Sequence, residues 1–478
     1  MKKRLVAALL LVLIAALVLH SYAKAKRSAW NVIKNPETVQ MLKGFVAAKK
    51  AQAYADTNGV PPEIRAMFKY AERGDWQALS NSVSELKERI SYWDSLGYGM
   101  PRSNDYRGAV EDLISEVAKK VGSPLPWDYW APPRLKGTAG ETIKEVYGAF
   151  DAFVTGDEKY STEFGREIID SIPAGSIYFG GSDPGRFIVT TMCKSQPDGN
   201  PLFTLGQNSL DDKTCRDYLR SMYGGKIYIP TEADWEKCLK DSLAEIEARR
   251  QVSNELVYGL RGPLAKILFD KNPANDFFVE EGFPIEWMYS HLEPHGLIFK
   301  INRQPLSELS DEIIQRDRAY WRKSLVPKIG GWLTNETSLA AIAGFAKKVF
   351  SQHDLEGFTG DARFVQNEYA GRMFSRERAA IAGLYAWRAS HSTNDSEKQR
   401  MTREADFAFR QAWALCPYLP EAEYRYVNFL LAQNRFAHAM LVAETTAGLP
   451  QVKNDEFTLQ LPAQLKQWQK DNPPKPGN

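Results

Sequence analysis

At 478 residues the chain is too long for one compact core and points to about three domains. Hydrophobic residues at 44% and aromatics at 12% can fill large interiors, and 25% charged residues match an ordinary soluble fold. With 61 basic against 59 acidic side chains the net charge is +2 and no long Lys/Arg run occurs, which sets nucleic acid aside as a partner.

Residues 1–25 read as a signal peptide or signal anchor. "MKKR" is a cationic start, and Leu5 to Leu19 is an unbroken apolar run of 15 residues. That is short for a spanning helix, although extension through Ala23 reaches the required length. Small residues at Ser21, Ala23 and Ala25 offer cleavage sites, while Lys24, Lys26 and Arg27 favour retention as an anchor; both outcomes stay open. Cleavage after Ala25 removes Lys2, Lys3, Arg4 and Lys24 and takes the net charge from +2 to −2. Either outcome predicts export, to the periplasm or to its face of the inner membrane, with membrane contact only through this segment. Export lets Cys193, Cys215 and Cys238 form one bridge or leaves all four cysteines, Cys416 included, as reduced core thiols.

Residues 28–171 form a helical region. Asn35 and Pro36 start a helix and Asn58-Gly59 stops it, and the next two apolar-periodic runs hinge at Gly74-Asp75 as a helical hairpin. Trp127, Tyr129 and Trp130 lie among prolines that forbid a helix; such aromatics either stack on a sugar or fill a gap between domains.

From residue 172 to 325 the period switches to alternating strands and helices. "SIYFGG", "PLFTLGQN" and "KIYIP" read as strands, each followed by a helix, with further strands over 276–280 and 296–302. This predicts a mostly parallel α/β sheet whose strand-end loops share one rim. The rim would present Ser182, Asp183 and Arg186, then Gln207, Asn208 and Asp211, then Thr231. In "FGGSDPGRF" the glycines, a helix N-terminus and Arg186 suit a phosphate, a carboxylate or a glycan contact. They equally specify a plain strand-to-helix corner, and no P-loop, GxGxxG or nucleophile-elbow pattern is met.

"IPAGSIYFGGSDPGRFIVTTM", "PLFTLGQNSLDDKTCRDYLR" and "FFVEEGFPIEWMYSHLEPHGLIFKI" occur in that order between 172 and 303. Together they resemble the extracytoplasmic soluble part of bacterial membrane glycosyltransferase-like proteins related to protein O-mannosyltransferases. In that family a strand-turn of the form P-x-x-A-I-L-F…G-D-N-D precedes the sheet, and helical repeats follow it. Of the family's acidic turn only Asp183 remains here, and the many membrane spans that carry transfer are missing from the chain. The resemblance thus implies a soluble appendage that binds rather than transfers.

Residues 326–470 are helical, and Ala405, Phe409, Ala412 and Pro417 have the spacing of the second helix of a tetratricopeptide repeat (TPR) and its closing proline. Leu430, Ala439 and Ala443 continue the register, with an insertion around "HSTNDSEKQR". Such stacked pairs leave a groove for a protein partner, here expected to use Arg425, Asn428 and Asn434. Residues 471–478 read as a disordered tail.

The remaining constellations carry little. His291, Glu293 and His295 mimic zinc spacing, but Pro294 breaks the helix such sites use. Glu280 and Glu281 are adjacent on a strand and so face opposite ways, unlike a glycosidase pair. "RDRAYWRK" around Asp317 and Trp321 reads as a charged helix face. The sequence therefore predicts a non-enzymatic scaffold or partner-binding protein of the cell envelope, without cofactor or metal. The alternative is a glycan-processing enzyme, or an accessory subunit of an envelope glycosyltransferase, using the strand-end rim.

Overall fold

The structure, a computed structural model, describes residues 29–56, 59–95, 137–181, 183–206, 209–249, 260–280 and 285–471. The leader, the aromatic loop at 127–130 and the tail beyond 471 lie outside the described residues. Among those described, no helix is long and apolar enough to cross a membrane.

The chain is mostly helical with one small mixed sheet. The longer elements run in order α1 (Pro36–Tyr54), α2 (Pro62–Glu72), α3 (Trp76–Ser95), α4 (Gly137–Phe150), α5 (Glu158–Ser171), β1 (Ile177–Gly180), α6 (Asp183–Met192), β2 (Phe203–Gly206), α7 (Lys213–Tyr223), α8 (Glu232–Arg249) and α9 (Arg261–Lys271). Then come β3 (Phe277–Val279), β4 (Leu292–His295), β5 (Ile298–Ile301), α10 (Asp311–Ile329), α11 (Leu339–Ala346), α12 (Glu368–His391), α13 (Asp395–Leu415), α14 (Pro420–Ala432), α15 (Phe436–Ala447) and α16 (Glu456–Asp471).

The chain divides into two compact units, one of residues 1–158 and 186–274, the other of 159–185 and 275–478. The segment 172–325, expected to be one domain, is therefore shared between them.

In the first unit the expected start of α1 and the hinge at Gly74 are found, while α1 ends at Tyr54, ahead of the expected stop, of which Asn58 lies outside the described residues. Asn35 caps α1 by accepting the Glu37 N–H at 2.9 Å, and Pro36 follows in the first turn. Gly74, at φ +67°, turns the chain between α2 and α3, and Trp30 lies so close that a Cβ there would meet its ring at 2.5 Å. Phe68, Leu79, Ile143 and Phe150 fill the core that α2, α3 and α4 share.

The second unit holds strands in the order β1-β3-β5-β4. There β1 and β3 pair in parallel, in register Tyr178 with Phe278, while β5 runs antiparallel to both β3 and β4. The expectation of a mostly parallel sheet is corrected here, because the two-residue turn Gly296-Leu297, with Gly296 at φ +66°, folds β4 back on β5 as a hairpin. "KIYIP" is also not a strand. Its Tyr228 N–H and C=O are taken by the Asn272 side chain at 2.7 and 3.0 Å, which substitutes for a neighbouring strand. Thr231 then caps α8, exchanging bonds with Asp234.

The helical part of the second unit rests on α12 and α13, an antiparallel pair of 24 and 21 residues. They are joined by a short turn ending at the Asn394 cap, so "HSTNDSEKQR" spans the end of α12, this turn and the first turns of α13. α14 and α15 form a second, shorter pair of 13 and 12 residues. Ala405, Ala412, Ala439 and Ala443 are fully buried, small residues admitting close helix crossing, and Leu430 is buried beside them. "RDRAYWRK" is corrected too: Asp317 and Trp321 are buried, and Arg378 of α12 pairs with Asp317 at 2.8 Å while lying over the Trp321 ring.

Candidate functional site

Ser182, Gln207 and Asn208 lie outside the described residues, and so does the Asp183 side chain. Of the described rim residues, Thr231 is the α8 cap, and Arg186 and Asp211 are half-buried in separate clusters of the first unit.

Arg186 enters a buried charge network. Its guanidinium lies 3.7 Å from Glu141 and 3.9 Å from Glu145, both on the inner side of α4. Lys49 of α1 pairs with Glu145 and Gln196 and reaches the Tyr218 hydroxyl at 2.9 Å, and that hydroxyl bonds Glu145 at 2.9 Å. Burial raises the Glu145 carboxyl, but Lys49 and Arg186 outweigh it and hold the group below the usual carboxylate range. Burial opposes the charge on Arg186, and Glu141 and Glu145 overcome it to hold the guanidinium protonated. The network is a closed set of mutually neutralising groups, which is how a protein interior tolerates charge.

Asp211 precedes the α7 cap residue Asp212. Burial pushes its carboxyl up to about 7, against the pull of Arg261 and Arg216 and a bond from the Leu260 backbone. Arg216 is committed elsewhere, donating to the Leu210 carbonyl at 2.7 Å and to Glu232 at 2.7 Å.

At the "FGGSDPGRF" bend an anion is present, and it is the protein's own. In the second unit the fully buried Glu280, directly after β3, accepts the Gly181 N–H at 2.7 Å. A Cβ at Gly185 would fall 1.9 Å from the Glu280 carboxyl carbon, so glycine is required for the carboxylate to lie there. Sequence reasoning placed Glu280 on its strand but missed this pairing across about a hundred residues; the bare Gly185 was the available signal.

The zinc-like triad is dispersed into structural bonds. His291 bonds the Asn302 carbonyl at 2.7 Å, His295 the Ser171 carbonyl at 2.7 Å, and Glu293 pairs with Arg316 at 3.2 Å. Among the described residues no group of three or more His, Cys, Asp or Glu could hold a metal. All four cysteines are free; burial pushes the Cys193 thiol up to about 12 and raises those of Cys215 and Cys416 as well.

The partner-groove residues lie on the α14–α15 pair. Glu421, Tyr424 and Asn428 are exposed and Arg425 is half-buried, a spacing that sets them along one stripe of α14. Tyr424 is 47% exposed and touches Phe457 of α16, itself 48% exposed, at 5.7 Å between rings. Asn434 is exposed at φ +56°, and the neighbouring Arg435 N–H bonds the Leu430 carbonyl at 2.8 Å. The turn itself thus accounts for asparagine at 434, one of the few residues that adopts this conformation readily. Tyr424 and Phe457 were not singled out from sequence, since an aromatic in a helix defaults to the core.

No protein-family model, no curated protein and no solved structure matches the chain.

Proposed function

We propose that the protein is a non-enzymatic scaffold of the bacterial cell envelope, exported or anchored through its N-terminal segment, that takes a protein partner on a TPR-like surface built by α14, α15 and α16. The observation that carries this reading is the solvent stripe of α14, where Tyr424, Arg425 and Asn428 stand together beside Phe457. Tyrosine and arginine are the residue types most enriched where interfaces concentrate binding energy, and Tyr424 offers a large amphipathic ring at low entropic cost. The hairpin beneath is well packed, with Leu430, Ala439 and Ala443 at its crossings, so the stripe is held on a firm backing.

The cationic start and apolar run at Leu5 to Leu19 support export, and the resemblance to an extracytoplasmic appendage agrees with it. For the glycan alternative, Arg186 is already faced by the Glu141 and Glu145 carboxylates, so that cation is neutralised by the protein's own groups. A photo-crosslinking residue placed at Asn428 in envelope-expressing cells tests the proposal. It should capture one recurring partner band that the same probe at Lys323 on α10 does not; identical capture from both positions contradicts it.

A further inference from the structure

Next to Tyr424 on α14 stands a carboxyl group that the proposed surface does not itself use. Glu423 is 1% exposed, and its Oε1 has no hydrogen-bond partner. It faces Thr458 of α16, also fully buried, whose hydroxyl already donates to Asp455 at 2.8 Å. The Thr458 hydroxyl serves both Asp455 and Glu423 and leaves the buried Glu423 Oε1 without a donor, so the pocket favours the neutral carboxyl.

Among the described residues no cation acts on Glu423. Arg376 of α12 reaches Glu421 at 3.3 Å, and Arg372 of α12 pairs with Glu368. On α13, Asp406 and Arg410 pair with each other, and Arg435, just before α15, also binds Asp406. His438 of α15 takes the Arg435 side chain, Glu444 of α15 pairs with Lys466 of α16, and Asp455 presents a second negative charge to Glu423. Burial pushes the Glu423 carboxyl up to about 8, against the pull of the Thr458 hydroxyl and with help from the Asp455 charge.

We propose that Glu423 is a proton-operated latch on the C-terminal helix: protonated, it holds α16 against α14, and ionised it releases α16 together with the Phe457 half of the aromatic surface. This regulation rests on reading the α14 stripe as the partner surface, while the latch itself does not need a partner to be observed. A carboxyl favoured in its neutral form by docking stabilises the docked helix fully below the undocked value of 4.5 and loses that contribution up to about 8.

Hydrogen exchange of α16 in the full chain, corrected for intrinsic rates, tests this between pH 5 and 9. Protection of α16 should fall roughly hundredfold between pH 5 and 8 and then level off, while the α12–α13 pair stays unchanged. Glu423→Gln should abolish the fall. As a second variant, Asp455→Asn should shift the fall to lower pH by removing the neighbouring charge. A flat profile in the unmodified chain, or the same fall in Glu423→Gln, overturns the latch and leaves the surface reading standing. If instead Tyr424→Ala leaves partner capture intact, the surface reading fails and the exchange result still decides the latch.

Discussion

Arg378 of α12 reaches both oxygens of the Asp317 carboxylate, at 2.8 and 3.1 Å, with both side chains almost wholly buried. Gln411 accepts from Arg378 at 2.8 Å and Tyr385 donates to Asp317 at 2.9 Å, so α10, α12 and α13 are tied by one satisfied polar cluster. Removing one member strands a charge in the interior. Asp317→Ala should cost about 3–5 kcal/mol in denaturant unfolding of the second unit. Replacement of Asp317 and Arg378 together by apolar residues of similar volume should recover most of it, since a well-packed apolar pair can equal a buried ion pair.

The glycine bend gives a sharper steric test. Gly185→Ala drives a methyl group into the Glu280 carboxylate, and should cost about 1–3 kcal/mol measured by urea unfolding. Glu280→Ala alone leaves the Gly181 N–H without its acceptor, at a cost of about 1–3 kcal/mol. The two changes together should cost less than their sum, because the first clash has no partner once the carboxylate is gone.

Lys49 and Glu145 give a pH prediction for the first unit. A carboxyl held below its ordinary value stabilises the fold above the unfolded value of 4.5 and loses that contribution as pH falls through the lower folded value. Acid unfolding of the first unit should therefore begin below about pH 4.5. Lys49→Met should weaken this unit by about 3–5 kcal/mol at neutral pH, because it leaves Glu145 buried without its nearest cation. Glu145→Gln added to Lys49→Met should restore part of the loss, as read by thermal unfolding.

Local rules made much of the helical architecture legible. Asn35-Pro36, Gly74 and the alanines of α13 and α15 each act within one turn or one crossing, and the sequence carries such signals openly. The strands at 277–279 and 298–301 were legible by the same token, from short apolar runs bounded by turn residues. Pairing direction was not, because whether β5 joins its neighbours parallel or antiparallel depends on the two-residue turn at Gly296 and on partners far along the chain.

The same limit explains the site. Arg186 was visible as a cation beside a glycine bend, but not that Glu141 and Glu145, some forty residues earlier, would occupy it. "KIYIP" has the composition of a strand and still is not one, because side chains take its backbone groups, Asn272 those of Tyr228 and Arg220 the Pro230 carbonyl. Glu423 sits at a position that helix periodicity reads as ordinary, and its burial follows from tertiary packing that the local sequence does not show.

The central claim is that the α14 stripe binds a protein partner. Its most direct test is the affinity of the partner captured from position 428 for the full chain carrying Tyr424→Ala, Asn428→Ala or Asp183→Ala. Tyr424→Ala should weaken binding about tenfold or more and Asn428→Ala measurably, while Asp183→Ala leaves it unchanged. Unchanged affinity in Tyr424→Ala, with loss in Asp183→Ala, would contradict the account and return attention to the glycine bend.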